Sequence, residues 1–126
     1  MNDLAIYLHW PFCLQKCPYC DFNSIPAPVI DHALWRRALL AELSHFAEIT
    51  QGRRITSLFF GGGTPSLMAP STVAALIDRT VSLWSLAQDC EITLEANPGT
   101  VDAVRFQAFR AAGVNRLSLG VQALDE

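Results

Sequence analysis

The chain has 126 residues, of which 51% are hydrophobic, so it is too apolar to be disordered and long enough for one domain with a sizeable core. Nine basic and twelve acidic residues give a formal charge of −3 without any basic run, which argues against a nucleic-acid partner. No apolar run is long enough to cross a bilayer, and the first residues lack the pattern of a secretory signal peptide.

The first half of the chain predicts a strand, a loop and a helix. Residues 4–10 form a short apolar run typical of a buried parallel strand. Residues 11–28 carry three cysteines and four prolines, a composition typical of a loop. Residues 30–49 predict a helix whose apolar side chains share one face: Trp35, Leu39, Leu43 and Phe46.

The second half continues the alternation of strand and helix. Residues 55–60 predict a second strand, and Pro70 suits the first turn of a second helix. Residues 91–96 predict a third strand. The apolar face of the second helix consists of Val73, Leu76, Ile77 and Trp84.

A third helix and a fourth strand complete the pattern. Thr100 is the expected N-cap of the helix, Gly113 suits its C-terminal end, and residues 115–121 predict the strand. The alternation predicts an α/β fold in which four parallel strands alternate with three helices. Because the chain stops just after the fourth strand, we expect it to be the N-terminal portion of a longer barrel-like enzyme.

Each predicted strand has an apolar face and a polar face, because successive residues point in opposite directions. Tyr7 and His9 lie on the polar face of the first strand, Glu95 on that of the third and Gln122 on that of the fourth. The apolar faces, Leu119 among them, are expected to meet the helices. This pattern fits a curved sheet around a polar cavity, with the active site at the C-terminal ends of the strands.

The three cysteines of the predicted loop lie in one run, Cys13-Leu-Gln-Lys-Cys17-Pro-Tyr-Cys20. Iron–sulfur clusters are normally held by four thiolates, so three of them would leave one iron open for another ligand. Zinc usually needs two pairs of ligands, which disfavours it here, although His9 or Cys90 could complete such a site. Close-set metal-binding thiols indicate a reducing compartment, and cytoplasm is the default.

Two polar features lie near the predicted strand ends. The glycine run (residues 61–63) is interpreted as a close backbone approach to a ligand, with exposed N–H groups as donors, although a mere tight turn is the alternative. Glu95 is interpreted as a hydrogen-bonding group for the hydroxyls or amine of a ligand. The alternative for Glu95 is an ion pair with an arginine such as Arg116.

The remaining histidines and charged residues carry weaker signals. His9 fits a core histidine as well as a residue on the ligand side. His32 and His45 on the first helix are expected at the surface, and so are the charged side chains of all the helices. Cys90 is expected to be a small buried hydrophobic residue.

These residues together resemble the radical S-adenosylmethionine (SAM) superfamily, whose signature is the cysteine motif. Several runs resemble the oxygen-independent coproporphyrinogen III oxidase family in particular, and they cover nearly the whole chain. They are Tyr7-Leu-His-Trp-Pro-Phe-Cys13, Cys17-Pro-Tyr-Cys20-Asp-Phe22-Asn, Gly61-Gly-Gly-Thr-Pro-Ser66, Glu95-Ala-Asn-Pro-Gly-Thr100 and Gly113-Val-Asn-Arg-Leu-Ser-Leu-Gly-Val-Gln122.

One position separates two branches of this family. The coproporphyrinogen dehydrogenases carry a further cysteine two positions after the third, where this chain has Phe22. Phe22 and the runs around it resemble the HemW branch of haem chaperones. The resemblance thus implies a protein that binds haem or a porphyrin and passes haem to acceptor proteins, such as respiratory ones. Oxidative decarboxylation of coproporphyrinogen III propionates is the alternative.

The resemblance also implies the cofactors and their ligands. It implies a [4Fe–4S] cluster on Cys13, Cys17 and Cys20, with SAM on the open iron, and reductive cleavage of SAM to methionine and a 5′-deoxyadenosyl radical. The backbone around Tyr19 is expected to hold the adenine. The further SAM contacts it implies are Tyr7, Gly62, Gly63, Thr64, Glu95 and Gln122.

Overall fold

The computed structural model describes residues 3–13, 25–26, 30–97 and 102–119. Within these ranges the chain forms strands, helices and one short 3₁₀ turn, Pro65–Leu67. The strands are β1 (Asp3–Trp10), β2 (Phe12–Cys13), β3 (Ile25–Pro26), β4 (Arg54–Gly62), β5 (Ser85–Ala96) and β6 (Arg116–Leu119). The helices are α1 (His32–Ile49), α2 (Pro70–Leu83) and α3 (Ala103–Ala112).

Four of the strands form one parallel sheet in the order β1-β4-β5-β6, which confirms the predicted α/β fold. Each helix connects two neighbouring strands, and α2 contacts both α1 and α3. The register pairs Trp10 with Gly62 and Ala96 with Leu119, so the carboxyl ends of the strands meet at one edge. We call this the carboxyl edge of the sheet.

A second, two-stranded parallel sheet lies where the sequence predicted only a loop. Phe12 pairs with Ile25 and Cys13 with Pro26, so the loop prediction for residues 11–28 was wrong at these positions. Only Pro11 separates β2 from β1. The first cysteine is therefore held by backbone pairing directly after the sheet ends.

The apolar faces of the strands pack against the helices, as predicted for the first three strands of the main sheet. The fully or nearly fully buried side chains of these faces are Leu8, Trp10, Leu58, Phe60, Ile92 and Leu94. Burial of each such side chain stabilises the fold by roughly 1.5–3 kcal/mol. The same expectation was wrong for Leu119, the last residue of the edge strand β6, which is 55% exposed.

The helix ends differ in detail from their predictions. Pro70 begins α2 and Gly113 ends α3, as expected. The predicted N-cap Thr100 was wrong, because Asp102 caps α3 by accepting a 2.8 Å hydrogen bond from the amide of Arg105. In α1, Phe46 is half exposed and Ala47 takes the buried position in the last turn.

Asn115 joins β5 to the start of β6, a role that the sequence did not reveal. Its side-chain oxygen accepts from the amide of Ile92 at 2.8 Å, and its side-chain nitrogen donates to the carbonyl of Cys90 at 3.0 Å. Cys90 is buried, as predicted. Among the described residues, no helix combines the length and apolar character needed to cross a membrane.

Gly113 provides a test of this packing. Its φ of +124° is strained for other residues, and a Cβ atom there would lie 3.1 Å from Cδ1 of Ile77. Gly113→Ala should therefore lower the free energy of unfolding by roughly 2–3 kcal/mol, as measured by urea denaturation with tryptophan fluorescence.

Gly52→Ala is the matched control, because Gly52 also has a positive φ of +81° but no atom near the position of a Cβ. It should cost about 1 kcal/mol, from backbone strain alone. Equal losses in the two variants would contradict the contact between Gly113 and Ile77.

Candidate functional site

The glycine run lies against the connection between β1 and β2 at the carboxyl edge. The amide of Gly63 donates to the carbonyl of Trp10 at 2.7 Å, and the amide of Thr64 donates to the carbonyl of Phe12 at 2.8 Å. These bonds place the run beside the residue that precedes Cys13. The second and third glycines are needed for this close approach, because their Cβ atoms would lie 2.5 Å from the Trp10 oxygen and 2.6 Å from the Phe12 oxygen.

The amides of the run are not exposed donors, and that part of the interpretation was wrong. Besides Gly63 and Thr64, the amide of Gly62 donates to Oε1 of Glu95 at 3.1 Å. Buried amides need such partners, and here the protein itself provides them. The backbone of the glycine run therefore does lie close to another group, but that group is the β1–β2 connection of the protein itself.

Glu95 lies near the end of β5 and links this strand to the end of β4 through Gly62. It does not form the ion pair with Arg116 that was the alternative. Arg116 instead lies 3.5 Å from Glu91, and both of those side chains are well exposed. Because a carboxylate has two oxygens and several acceptor positions, Glu95 retains capacity for the amine or hydroxyl of a ligand.

Tyr7 lies on the polar face of β1, as predicted, and its side chain is 57% exposed. Its ring stacks on Phe59 with centroids 5.9 Å apart, and its hydroxyl lies 3.5 Å from Nδ1 of His9. A Cβ at Gly61 would lie 2.6 Å from the Tyr7 ring, so the first glycine of the run lets this ring lie flat on β4. His9 is half-buried beside Tyr7 on the polar face, which favours the ligand side over the core.

The pKa of Tyr7 is raised, first by burial and second by the negative charge of Glu95. The phenol therefore remains neutral at physiological pH and can donate a hydrogen bond. A neutral donor and a carboxylate thus lie on one polar surface.

An aromatic cluster supports the backbone that leads to Cys13. Trp10, Phe12 and Trp35 make edge-to-face contacts, with the Phe12 and Trp35 rings 5.1 Å apart. His32 stacks on Trp10 at 5.8 Å and its Nδ1 is buried, so its predicted surface position was wrong. These contacts fix the orientation of the chain just before the first cysteine.

Several predicted site residues lie outside the described residues. They are Cys17, Tyr19, Cys20 and Gln122, together with the branch-distinguishing Phe22. Cys13 is described in its backbone only. Among the side chains that the structure describes, no three histidines, cysteines or carboxylates lie close enough to hold a metal ion.

Cys90 does not belong to the site, which removes one zinc alternative. It lies near the middle of β5, far from the carboxyl edge. At about 3.3 Å per residue, Cys90 is roughly 20 Å from Ala96, the last residue of the strand. Burial, followed by the charges of Asp89 and Glu91, raises the pKa of its thiol. Its buried position in the hydrophobic core suits the predicted role of a small apolar side chain.

Arg105 is a site-adjacent residue that sequence analysis missed. It was expected on a solvated helix face, but it is half-buried and bonds two backbone carbonyls. Nothing in the sequence around it distinguishes it from Arg110, which is exposed on the same helix.

The proximity of Tyr7 and Glu95 is testable through the pKa of the phenol. Glu95→Gln should lower that pKa toward its ordinary value, because the negative charge contributes to its rise. The pKa should stay above the ordinary value, since burial is the larger cause. Absorbance titration near 295 nm measures it, in a Tyr19→Phe background because the chain has two tyrosines.

Glu91→Gln is the control for this titration. Glu91 lies earlier on the same strand and faces Arg116 at the surface. The Glu91→Gln variant should leave the pKa of Tyr7 unchanged. Equal shifts in both variants would contradict the specific influence of the Glu95 charge on the pKa of Tyr7.

Comparison with known proteins identifies the superfamily. The Radical SAM superfamily model matches residues 7–126. Coproporphyrinogen III oxidase (HemN) from Escherichia coli, a radical SAM enzyme of known structure, superposes with a TM-score of 0.89 at 31% identity. That match covers 98% of this chain and 29% of the solved chain.

Curated relatives agree with this match. The chain is 47% identical to heme chaperone HemW of Escherichia coli (strain K12), covering 100% of this chain and 34% of that protein. It is 48% identical to the mitochondrial radical S-adenosyl methionine domain-containing protein 1 of Bos taurus, covering 97% of this chain and 28% of that protein. The chain thus spans about a third of the length of these relatives. It belongs to the radical SAM superfamily.

Proposed function

We propose that this chain is the N-terminal portion of the radical SAM domain of a haem chaperone, which binds haem and transfers it to acceptor proteins. The observation that carries the proposal is the 47% identity to heme chaperone HemW over the whole chain, against 31% to coproporphyrinogen III oxidase. Phe22 supports the same choice, since it stands where the dehydrogenase branch has a further cysteine.

The proposal assigns the [4Fe–4S] cluster to Cys13, Cys17 and Cys20. The donor set fits, because three soft thiolates within eight residues suit iron and sulfide. The local backbone fits as well: pairing with Pro26 anchors Cys13, and the Thr64–Phe12 hydrogen bond ties the preceding residue to the glycine run. A reducing compartment, with the cytoplasm as the predicted location, remains part of the proposal.

The proposal assigns SAM to the polar surface beside the cluster. Glu95 would accept a hydrogen bond from the amine of SAM, and Tyr7, as a neutral phenol, would donate one to an acceptor atom of SAM. Gln122 and the backbone at Tyr19 would complete the contacts. Gly62, Gly63 and Thr64 would contact SAM by their close-packed backbone, because their amides are already bonded within the protein. With SAM bound, the reduced cluster would supply the electron that cleaves it.

A second function has one observation in its favour. The superposition on coproporphyrinogen III oxidase at a TM-score of 0.89 supports oxidation of coproporphyrinogen by the same fold. Fold similarity does not by itself determine the reaction. Phe22 and the lower identity favour the chaperone.

Anaerobic reconstitution with iron and sulfide tests the cluster assignment. The wild-type chain should bind a [4Fe–4S] cluster, and Cys17→Ala should lose nearly all of its iron and its charge-transfer absorbance, because two thiolates cannot hold the cubane. Cys90→Ala is the matched control and should keep the wild-type iron content, since Cys90 lies far from the edge. Binding of zinc instead of iron and sulfide would contradict the assignment.

Addition of haemin tests the chaperone function in the complete reading frame that contains this chain. The proposal predicts a stable complex with a Soret band, followed by transfer to an apo-acceptor. It also predicts no consumption of coproporphyrinogen III with SAM and a reductant. Turnover of coproporphyrinogen without a Soret complex would support the dehydrogenase instead.

A further inference from the structure

Arg105 holds the turn that follows the glycine run by a two-point contact. Its Nε donates to the carbonyl of Ser66 at 2.8 Å, and Nη2 donates to the carbonyl of Met68 at 2.7 Å. Ser66 and Met68 are almost completely buried, at 0% and 1% exposure. A guanidinium presents its donors in a rigid fork, so these two bonds fix both the position and the orientation of the turn.

Arg105 is itself held from two sides. Asp102 caps α3 by accepting from the amide of Arg105 at 2.8 Å. The guanidinium carbon lies 5.2 Å from the ring centroid of Phe109, which is buried one helical turn further along. A cation over an aromatic face is attracted to it, so the side chain has a defined orientation before it contacts the turn.

The turn that Arg105 holds is continuous with the candidate SAM surface. Pro65–Leu67 follows Thr64 directly, and the amide of Thr64 bonds to Phe12 beside the first cysteine. On the other side, α3 is the helix that follows β5, the strand of Glu95. Arg105 therefore connects the helix that follows Glu95 to the segment that continues from Gly62.

We propose that Arg105 is a positioning residue for SAM: it holds the backbone of residues 62–64 in the arrangement that SAM binding requires. This rests on the proposed function, because it concerns the same SAM surface. Arg105 acts through the Pro65–Leu67 turn and does not touch the cofactor. Loss of the two-point contact frees the turn and, through Thr64, loosens the glycine run.

Arg105→Met and Arg105→Lys test this role in the reconstituted full-length protein. Methionine keeps much of the side-chain volume without donors, and it should raise the Kd for SAM roughly tenfold. Lysine provides a point charge that bonds one carbonyl at a time, and it should raise the Kd about threefold. Isothermal titration with SAM measures both, and iron content should equal that of the wild type.

Amide hydrogen exchange provides a second readout on the same variants. Exchange of the peptide that covers residues 62–68 should accelerate in both, because the turn is no longer held. Arg110→Met is the matched control, since Arg110 is exposed on the same helix, and it should change neither quantity.

The outcomes separate the two proposals. If the wild-type protein binds the cluster but no SAM, the proposed SAM site fails and the positioning role fails with it. If the wild type binds SAM and the Arg105 variants bind it equally well, only the positioning role is wrong. Unchanged exchange over residues 62–68 would also overturn that role.

Discussion

The candidate site depends on one backbone contact, the pair of hydrogen bonds from Gly63 and Thr64 to the carbonyls of Trp10 and Phe12. They bring the end of β4 against the β1–β2 connection, so that the segment leading to Cys13 has a fixed position. The contact is possible because glycine has no Cβ at positions where one would lie about 2.5 Å from a carbonyl oxygen. Side chains at these positions would separate the cysteine segment from the sheet.

Two further contacts extend this arrangement across the carboxyl edge. The bond from Gly62 to Glu95 joins the ends of β4 and β5, and the two bonds from Arg105 hold the turn after the glycine run. Hydrogen bonds to charged groups are stronger than neutral ones, at about 1.5–3 kcal/mol each. Glu95 and Arg105 thus order the end of β4 and the turn that follows it, and Tyr7 remains partly exposed on the polar face of β1.

Hydrophobic periodicity predicted the fold because the burial of apolar side chains is the main contribution to its stability. The strands alternate with the helices as expected, and the strand residues Leu8 and Leu94 lie in the core. Patterns in the sequence also placed Tyr7 and Glu95 on one polar face. They did not predict that Arg105 is half-buried, because an arginine on a helix has the same local signature whether water or a carbonyl receives its hydrogen bonds. Nor did they predict the pairing of Phe12 with Ile25, which depends on contacts between separate segments.

We propose that Cys13, Cys17 and Cys20 hold an iron–sulfur cluster with one open iron, which would take SAM. The most direct measurement is the electron paramagnetic resonance spectrum of the reduced, reconstituted protein, recorded with and without SAM. SAM should change the g-values of the cluster signal, because it would bind at the open iron. A spectrum that SAM leaves unchanged at saturating concentration would contradict the proposal.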